Sequence, residues 1–149
     1  MTCWSIKRWM RLRNRNQVNN LMLVHSCVTV RSLENARQVF EDLFQFKLLY
    51  TFEIASEIFK TLFKIEEPAH ARVYDTGNSR LEVFVMNNMP EPGAFQHICL
   101  GFPDRDSVIE KAEHLGFEVR KYHREDATVV FVLDADKNLY ELKNKAECY

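Results

Sequence analysis

Apolar residues in this chain form strand-like runs followed by stretches with helical spacing, and this order occurs twice along the sequence. Short strand-like runs lie at Val24–Val30 and, 72 residues later, at Gln96–Phe102. Each is followed by apolar residues every three or four positions, which predicts amphipathic helices over Leu33–Phe44 and Arg105–Leu115. Ser32 and Asp104 precede these helices, where a short side-chain oxygen can cap the first turn. Each half of the chain is therefore expected to begin with a strand and a helix.

Three further strands are predicted after each helix. They are Phe46–Glu53, Arg72–Asp75 and Arg80–Met86 in the first half, and Phe117–His123, Thr128–Leu133 and Leu139–Lys143 in the second. An insert between residues 54 and 65 has the apolar spacing of a short extra helix. The fold class expected is α+β, with two βαβββ modules, residues 22–88 and 95–149, joined by a linker over 89–94. Two such sheets would form a half-barrel around a cleft, with the helices outside.

The overall composition excludes some classes of function. The chain is 46% hydrophobic and 28% charged, with few Gly and Pro, as in ordinary soluble proteins. No run approaches the roughly 20 apolar residues that a membrane span requires. A net charge of −1 argues against nucleic-acid binding by the body of the protein.

Residues 1–21 form a basic extension with a separate interpretation. Five Lys and Arg residues lie in the first 20 positions without an acid, so the remaining residues carry 15 basic and 21 acidic side chains, a net of −6. Three interpretations compete: a targeting or membrane-surface arm, a nucleic-acid arm, and a non-native or misassigned start. The last is favoured, because Met22 stands three residues before the first motif.

The four cysteines give no sign of a structural zinc site, because none forms a C-x-x-C pair. They are Cys3, Cys27, Cys99 and Cys148. Without a secretory signal, free thiols in the cytoplasm are expected. Cys27 and Cys99 are expected to be small buried residues, with soft ligands or redox-sensitive thiols in a cleft as the alternatives.

Each module begins with a His on its first strand and ends with a Glu on its last. These residues are His25 and Glu82 in the first module, and His97 and Glu141 in the second. Taken singly, such a His is usually a hydrogen-bonded core residue and such a Glu is usually solvated. The repetition in both modules instead predicts a divalent-metal site. Zinc or nickel is expected first, with iron, manganese and cobalt as alternatives.

The sequence resembles the vicinal oxygen chelate superfamily over about residues 22–145. This superfamily includes glyoxalase I, methylmalonyl-CoA epimerase, fosfomycin-resistance proteins, extradiol dioxygenases and bleomycin-resistance proteins. The resemblance is carried by four segments, His25–Val30, Arg80–Phe84, Phe95–Ile98 and Phe131–Leu142. In the last of them, the Pro and Gly of the family's closing turn are replaced by Ala135 and Lys137.

The resemblance implies a glyoxalase-like lyase or isomerase that acts on a small oxygen-rich substrate through a metal-stabilised enediolate. It places His25, Glu82, His97 and Glu141 on the metal positions of glyoxalase I. Glu141 would be the general base and Glu82 the opposite catalytic partner. The chain has Thr29 and Met86 where related bacterial glyoxalases have the Arg and Asn that help to hold glutathione.

Other functions and assemblies remain open from the sequence. One alternative is a non-catalytic, ligand-sequestering protein like the bleomycin-resistance proteins. Another is a different branch of the superfamily, such as an epimerase or a fosfomycin-modifying transferase. Family habit favours a homodimer, and the linker allows the modules to pair within one chain or between two.

Overall fold

A computed structural model describes residues 23–89, 91–93, 96–123, 125 and 127–147. The predictions made for residues 1–21, Cys3 and Cys148 fall outside these residues. The first module contains β1 (His25–Val30), α1 (Leu33–Ala36 and its continuation Arg37–Leu43), β2 (Lys47–Ile54), α2 (Ser56–Phe63), β3 (Ala69–Asp75) and β4 (Arg80–Val85). The second contains β5 (His97–Phe102), α3 (Arg105–His114), β6 (Glu118–His123), β7 (Thr128–Leu133) and β8 (Leu139–Asn144), followed by a 3₁₀ turn, Lys145–Glu147.

The strands form two four-stranded sheets with the same topology. Their orders are β1-β4-β3-β2 and β5-β8-β7-β6. In each sheet the first and last strands of the module are parallel neighbours, and the other pairs are antiparallel. The α+β fold of two βαβββ modules is therefore confirmed. Among the described residues, no helix has the length and apolar character needed to cross a membrane.

Local sequence signals position the helices as expected. The Ser32 hydroxyl accepts a hydrogen bond from the Asn35 amide at 3.0 Å, and the Asp104 carboxylate accepts one from the Ser107 amide at 3.2 Å. Both N-cap predictions are confirmed. Gly116 follows α3 with a φ of 81°, a left-handed conformation that glycine adopts without strain. Over Arg37–Leu43 the first helix widens to a π-helix, a change that the apolar spacing does not reveal.

Each sheet has two faces with different partners. We call the face that bears His25, Cys27 and Glu82, or His97, Cys99 and Glu141, the ligand face, because residues two apart on a strand point the same way. The opposite face, against which α1 or α3 packs, is the helix face. Its residues supply most of the core: Val28, Val30, Leu81 and Val83 in the first sheet, and Phe102, Val130, Val132, Tyr140 and Leu142 in the second.

The two helix faces share a single hydrophobic core within the chain. The ring of Phe40, on α1, lies 5.5 Å from that of Tyr74 on β3 and 5.9 Å from that of Tyr140 on β8. If the sheets continued edge to edge through β1 and β5, these tyrosines would stand four strand spacings apart, or about 19 Å. One phenylalanine could not then contact both. The helix faces of both sheets therefore contribute to one core around α1.

Helix α2 covers part of the first ligand face. The ring of Phe59 meets that of Phe84 edge-on, with centroids 5.4 Å apart. These two residues form a second buried cluster with Ala69, Ala71 and Met86. The predicted helical insert is thus confirmed. Glu82 and its cross-strand partner Val73 lie outside this cluster.

A buried carboxylate of the second module accepts hydrogen bonds from the first module. Asp136, in the turn before β8, accepts hydrogen bonds from the Arg31 amide at 2.7 Å and from the Asn35 side-chain amide at 2.6 Å. The Arg31 guanidinium also donates to it at 3.2 Å. Beside it, the Asn138 side chain donates to the Thr29 carbonyl at 2.9 Å. These bonds fix β1 of one module against the closing turn of the other.

Removal of this carboxylate is expected to destabilise the protein. Asp136→Ala should lower the free energy of unfolding by about 2 kcal/mol or more, because it leaves the buried Asn35 amide without its acceptor. Urea unfolding followed by circular dichroism measures the change. Asp106→Ala is the matched control, since that carboxylate is 74% exposed and its ion pair with Arg105 is worth little. Equal losses in both variants would contradict the importance of the Asp136 junction.

Candidate metal centre

The first half-site consists of His25 and Glu82, on the neighbouring strands β1 and β4. His25 Nδ1 lies 3.7 Å from Glu82 Oε1. The His25 side chain is 49% exposed and that of Glu82 is 19% exposed. Cys27 stands directly opposite Glu82 in the parallel pairing, so the three residues lie on adjacent positions of the ligand face. The imidazole is thus accessible at the surface, while the carboxylate is largely removed from water.

The second half-site repeats this arrangement with His97 and Glu141, on β5 and β8. His97 Nε2 lies 3.4 Å from Glu141 Oε2, and the side-chain exposures are 39% and 16%. Lys143 places its ammonium 3.4 Å from the other oxygen of Glu141. The ring of Phe131 packs edge-on against the His97 ring, with centroids 5.3 Å apart. In this half-site, a lysine ammonium contacts the glutamate and an aromatic ring packs against the histidine.

Lys143 and Phe131 were not recognised as site residues from the sequence. The strand period carries a usable signal for Lys143, because it follows Glu141 by two positions and must share its face. Phe131 lies opposite Glu141 in the β7–β8 pairing. That register cannot be read from composition, so no comparable sequence signal points to Phe131.

The structure brings the four predicted ligands together as two pairs. Among the described residues, no group of three or more His, Cys, Asp or Glu side chains is close enough to hold a metal ion. A cavity of about 360 Å³ between the modules is lined by Cys27, Thr29 and His97, but of the four candidates only His97 borders it. Within the described part of the chain, the four candidates therefore form two separate pairs rather than one four-ligand group.

Cys27 and Cys99, beside the half-sites, form no disulfide bond, and both residues are exposed. The expectation that Cys27 and Cys99 are small buried core residues is therefore wrong. They lie on the open ligand faces, whereas the adjacent positions Val28 and Leu100 turn towards the core. Although Cys27 is exposed as a residue, burial of its thiol, together with the negative charge of Glu82, raises the pKa of this group to about 12.

The donor chemistry of the half-sites fits a divalent ion. Each pairs an imidazole nitrogen with a carboxylate that is more than four-fifths buried. A carboxylate loses solvation free energy when it is removed from water, and a cation can compensate for this loss. Nitrogen and anionic oxygen together suit zinc and the neighbouring first-row ions.

Solved structures of known proteins share this architecture. Glyoxalase I from Leishmania major, described as trypanothione-dependent, matches with a TM-score of 0.66 at 16% identity over 85% of this chain and 88% of that one. A glyoxalase family protein from Enterococcus faecalis matches with a TM-score of 0.63 at 15% identity, over 80% and 94%. The chain has the fold of these glyoxalase structures.

A third structure with this fold contains a metal. FosX from Listeria monocytogenes, a fosfomycin-resistance protein in complex with Mn(II) and 1S,2S-dihydroxypropylphosphonic acid, matches with a TM-score of 0.62 at 18% identity, over 81% and 90%. No protein-family model matches the chain, and no curated protein matches its sequence. At these identities the likeness establishes the fold, and the activity has to be argued from the site.

Proposed function

We propose that this protein is a glyoxalase-like, metal-dependent lyase or isomerase whose active site is built from two chains. The observation that carries the proposal is the repeated His–Glu pair on the ligand face of each module. The two pairs have similar separations and similar burial. Isolated core histidines or solvated strand-edge glutamates would not be expected to repeat this geometry in both halves.

The assembly follows from the placement of the two faces. Because both helix faces contribute to one core and the two His–Glu pairs of a chain are separate, we infer that the pairs meet between chains. A homodimer with two-fold symmetry can place the first ligand face of one chain against the second ligand face of its partner. The symmetry then generates two identical sites, each with two imidazoles and two carboxylates.

His25, Glu82, His97 and Glu141 would hold a divalent ion in each site, with zinc or nickel the first candidates. Such an ion supplies Lewis-acid polarisation of adjacent substrate oxygens. The FosX structure with Mn(II) supports a metal centre in this fold. The substrate would be a small molecule with two neighbouring oxygen atoms.

Glu141 is the proposed general base. Its carboxylate borders the open ligand face, where it can accept a proton from a carbon next to a substrate carbonyl. The Lys143 ammonium contacts Oε1 and the His97 ring contacts Oε2, so the carboxylate is oriented from two sides. Glu82, in the facing half-site, is the partner that returns or removes the proton on the opposite side of the substrate.

Metal content is the experiment that tests this proposal. Protein purified without chelator should contain about one divalent ion per chain, because a two-fold dimer has two sites. Its Tm should rise on addition of zinc or nickel and fall on chelation, since a ligand that binds only the folded state stabilises it. His25→Ala should abolish both effects, whereas His114→Ala, at an exposed position on α3, should preserve them.

Catalysis is tested separately, with two substrates. Deuterium uptake from D₂O into hydroxyacetone, and into the hemithioacetal of methylglyoxal and glutathione, reports proton removal next to a carbonyl. Metal-dependent exchange with either substrate supports the enzyme. If the purified protein contains no metal and its Tm does not rise on addition of zinc or nickel, the result would contradict the proposal and favour a ligand-sequestering protein instead.

A further inference from the structure

The two half-sites share a third potential ligand that the proposed metal centre does not use. Cys27 follows His25 by two residues on β1, and Cys99 follows His97 by two residues on β5. In the parallel pairing, Cys27 stands opposite Glu82 and Cys99 opposite Glu141. The same three residue types therefore occupy equivalent positions in both modules.

The strand geometry allows each His–Cys pair to reach one ion. Residues two apart on a strand point to the same side and are about 6.6 Å apart along it. An ion above the strand can lie between an imidazole and a thiolate at ligand distances of about 2.0 and 2.3 Å. The Cys27 thiol now lies 3.8 Å from the Val28 carbonyl, a weak contact that ligation would replace.

Two such pairs form a different ligand set from the one used for catalysis. His25 and Cys27 from one chain, with His97 and Cys99 from its partner, provide two nitrogens and two sulfurs. That set is typical of closed, tetrahedral zinc sites and selects thiophilic ions. The His–Glu set leaves room for substrate, whereas a four-coordinate His–Cys set does not.

We propose that Cys27 and Cys99 are alternative metal ligands, so that the site holds ions such as Cd(II) or Co(II) through His–Cys pairs. This inference rests on the proposed two-chain metal centre. On binding, each thiol releases its proton to water and its sulfur forms a bond to the ion, without oxidation or reduction. Occupation through sulfur leaves Glu82 and Glu141 outside the coordination shell and closes the site to substrate.

Cobalt spectroscopy tests the inference directly, because a thiolate bound to Co(II) gives a sulfur-to-metal charge-transfer band in the near ultraviolet. Reduced, metal-free protein is titrated with Co(II), and bound cobalt is measured independently by elemental analysis. The expected result is a saturable band at about one cobalt per chain. Cys27→Ala and Cys99→Ala should each lose about half of its intensity, and the double variant should lose all of it. In the double variant the affinity for Cd(II), measured by competition with a chelator, should fall at least tenfold.

A chain with Cys3→Ala and Cys148→Ala is the control, because it removes the other two thiols of the chain and should retain the band. Cobalt bound without the band, or a band that persists in the double variant, would overturn the inference and leave the His–Glu centre intact. Failure to bind cobalt, zinc or nickel at all would overturn the two-chain metal centre together with this inference. The two failures are thus distinguishable.

Discussion

Glu141→Gln is expected to abolish turnover while leaving the fold intact. The substitution preserves the size of the side chain, but an amide cannot accept the substrate proton and is a poorer metal ligand. Loss of a general base typically lowers a rate by about 10²- to 10⁴-fold. The rate of deuterium exchange into either carbonyl substrate should therefore fall by at least about 100-fold. Metal affinity should fall by at least the roughly 10- to 100-fold that loss of an outer-shell partner costs.

Glu118→Gln is the matched control for this experiment. Glu118 lies on β6 of the same sheet, is 59% exposed and pairs with Arg120 rather than with a histidine. Its conversion should change neither metal affinity nor turnover. Both variants should give the circular dichroism spectrum of the unmodified protein, because neither carboxylate belongs to the core. Undiminished exchange in Glu141→Gln would remove this residue from the proposed mechanism.

The strands and the duplication were predictable because they rest on local periods. The continuous run of apolar and β-branched residues over β7 gives Thr128–Leu133 in both the sequence pattern and the structure, and the N-caps at Ser32 and Asp104 require only short-range bonds. The same period places His25 and Cys27 on one face without reference to tertiary structure. It could not show that α1 widens after Ala36, because the i, i+3, i+4 spacing accommodates an occasional longer turn.

The relation between the modules was not predictable, because it depends on contacts between distant residues. The Phe40 ring bridges two sheets, and Asp136 bonds Arg31 across 105 positions of sequence. The linker between the two modules is short, and it permits the modules to pair within one chain as well as between two chains. The exposure of Cys27 was also missed, since the general tendency of free cysteine to be buried does not say which face of a strand is covered. For these reasons the sequence identified the His–Glu pairs, but it left open how they meet.

The second large effect is expected when two inactive chains are mixed. His25→Ala removes the first half-site of a chain, and His97→Ala removes the second, so neither variant alone should form a complete centre. In a mixed two-fold dimer, one site combines both defects and the other combines His25 of one chain with His97 of its partner. Random exchange of equal amounts makes half of the dimers mixed, so about one quarter of the normal number of sites should be restored.

Metal content after mixing and re-equilibrating these two variants tests the two-chain centre most directly. We expect each purified variant to bind no stoichiometric ion, and the mixture to regain about one quarter of the unmodified protein's zinc or nickel. A mixture as empty as its separate components, under conditions where subunit exchange is demonstrated with labelled chains, would contradict assembly of the site from two chains.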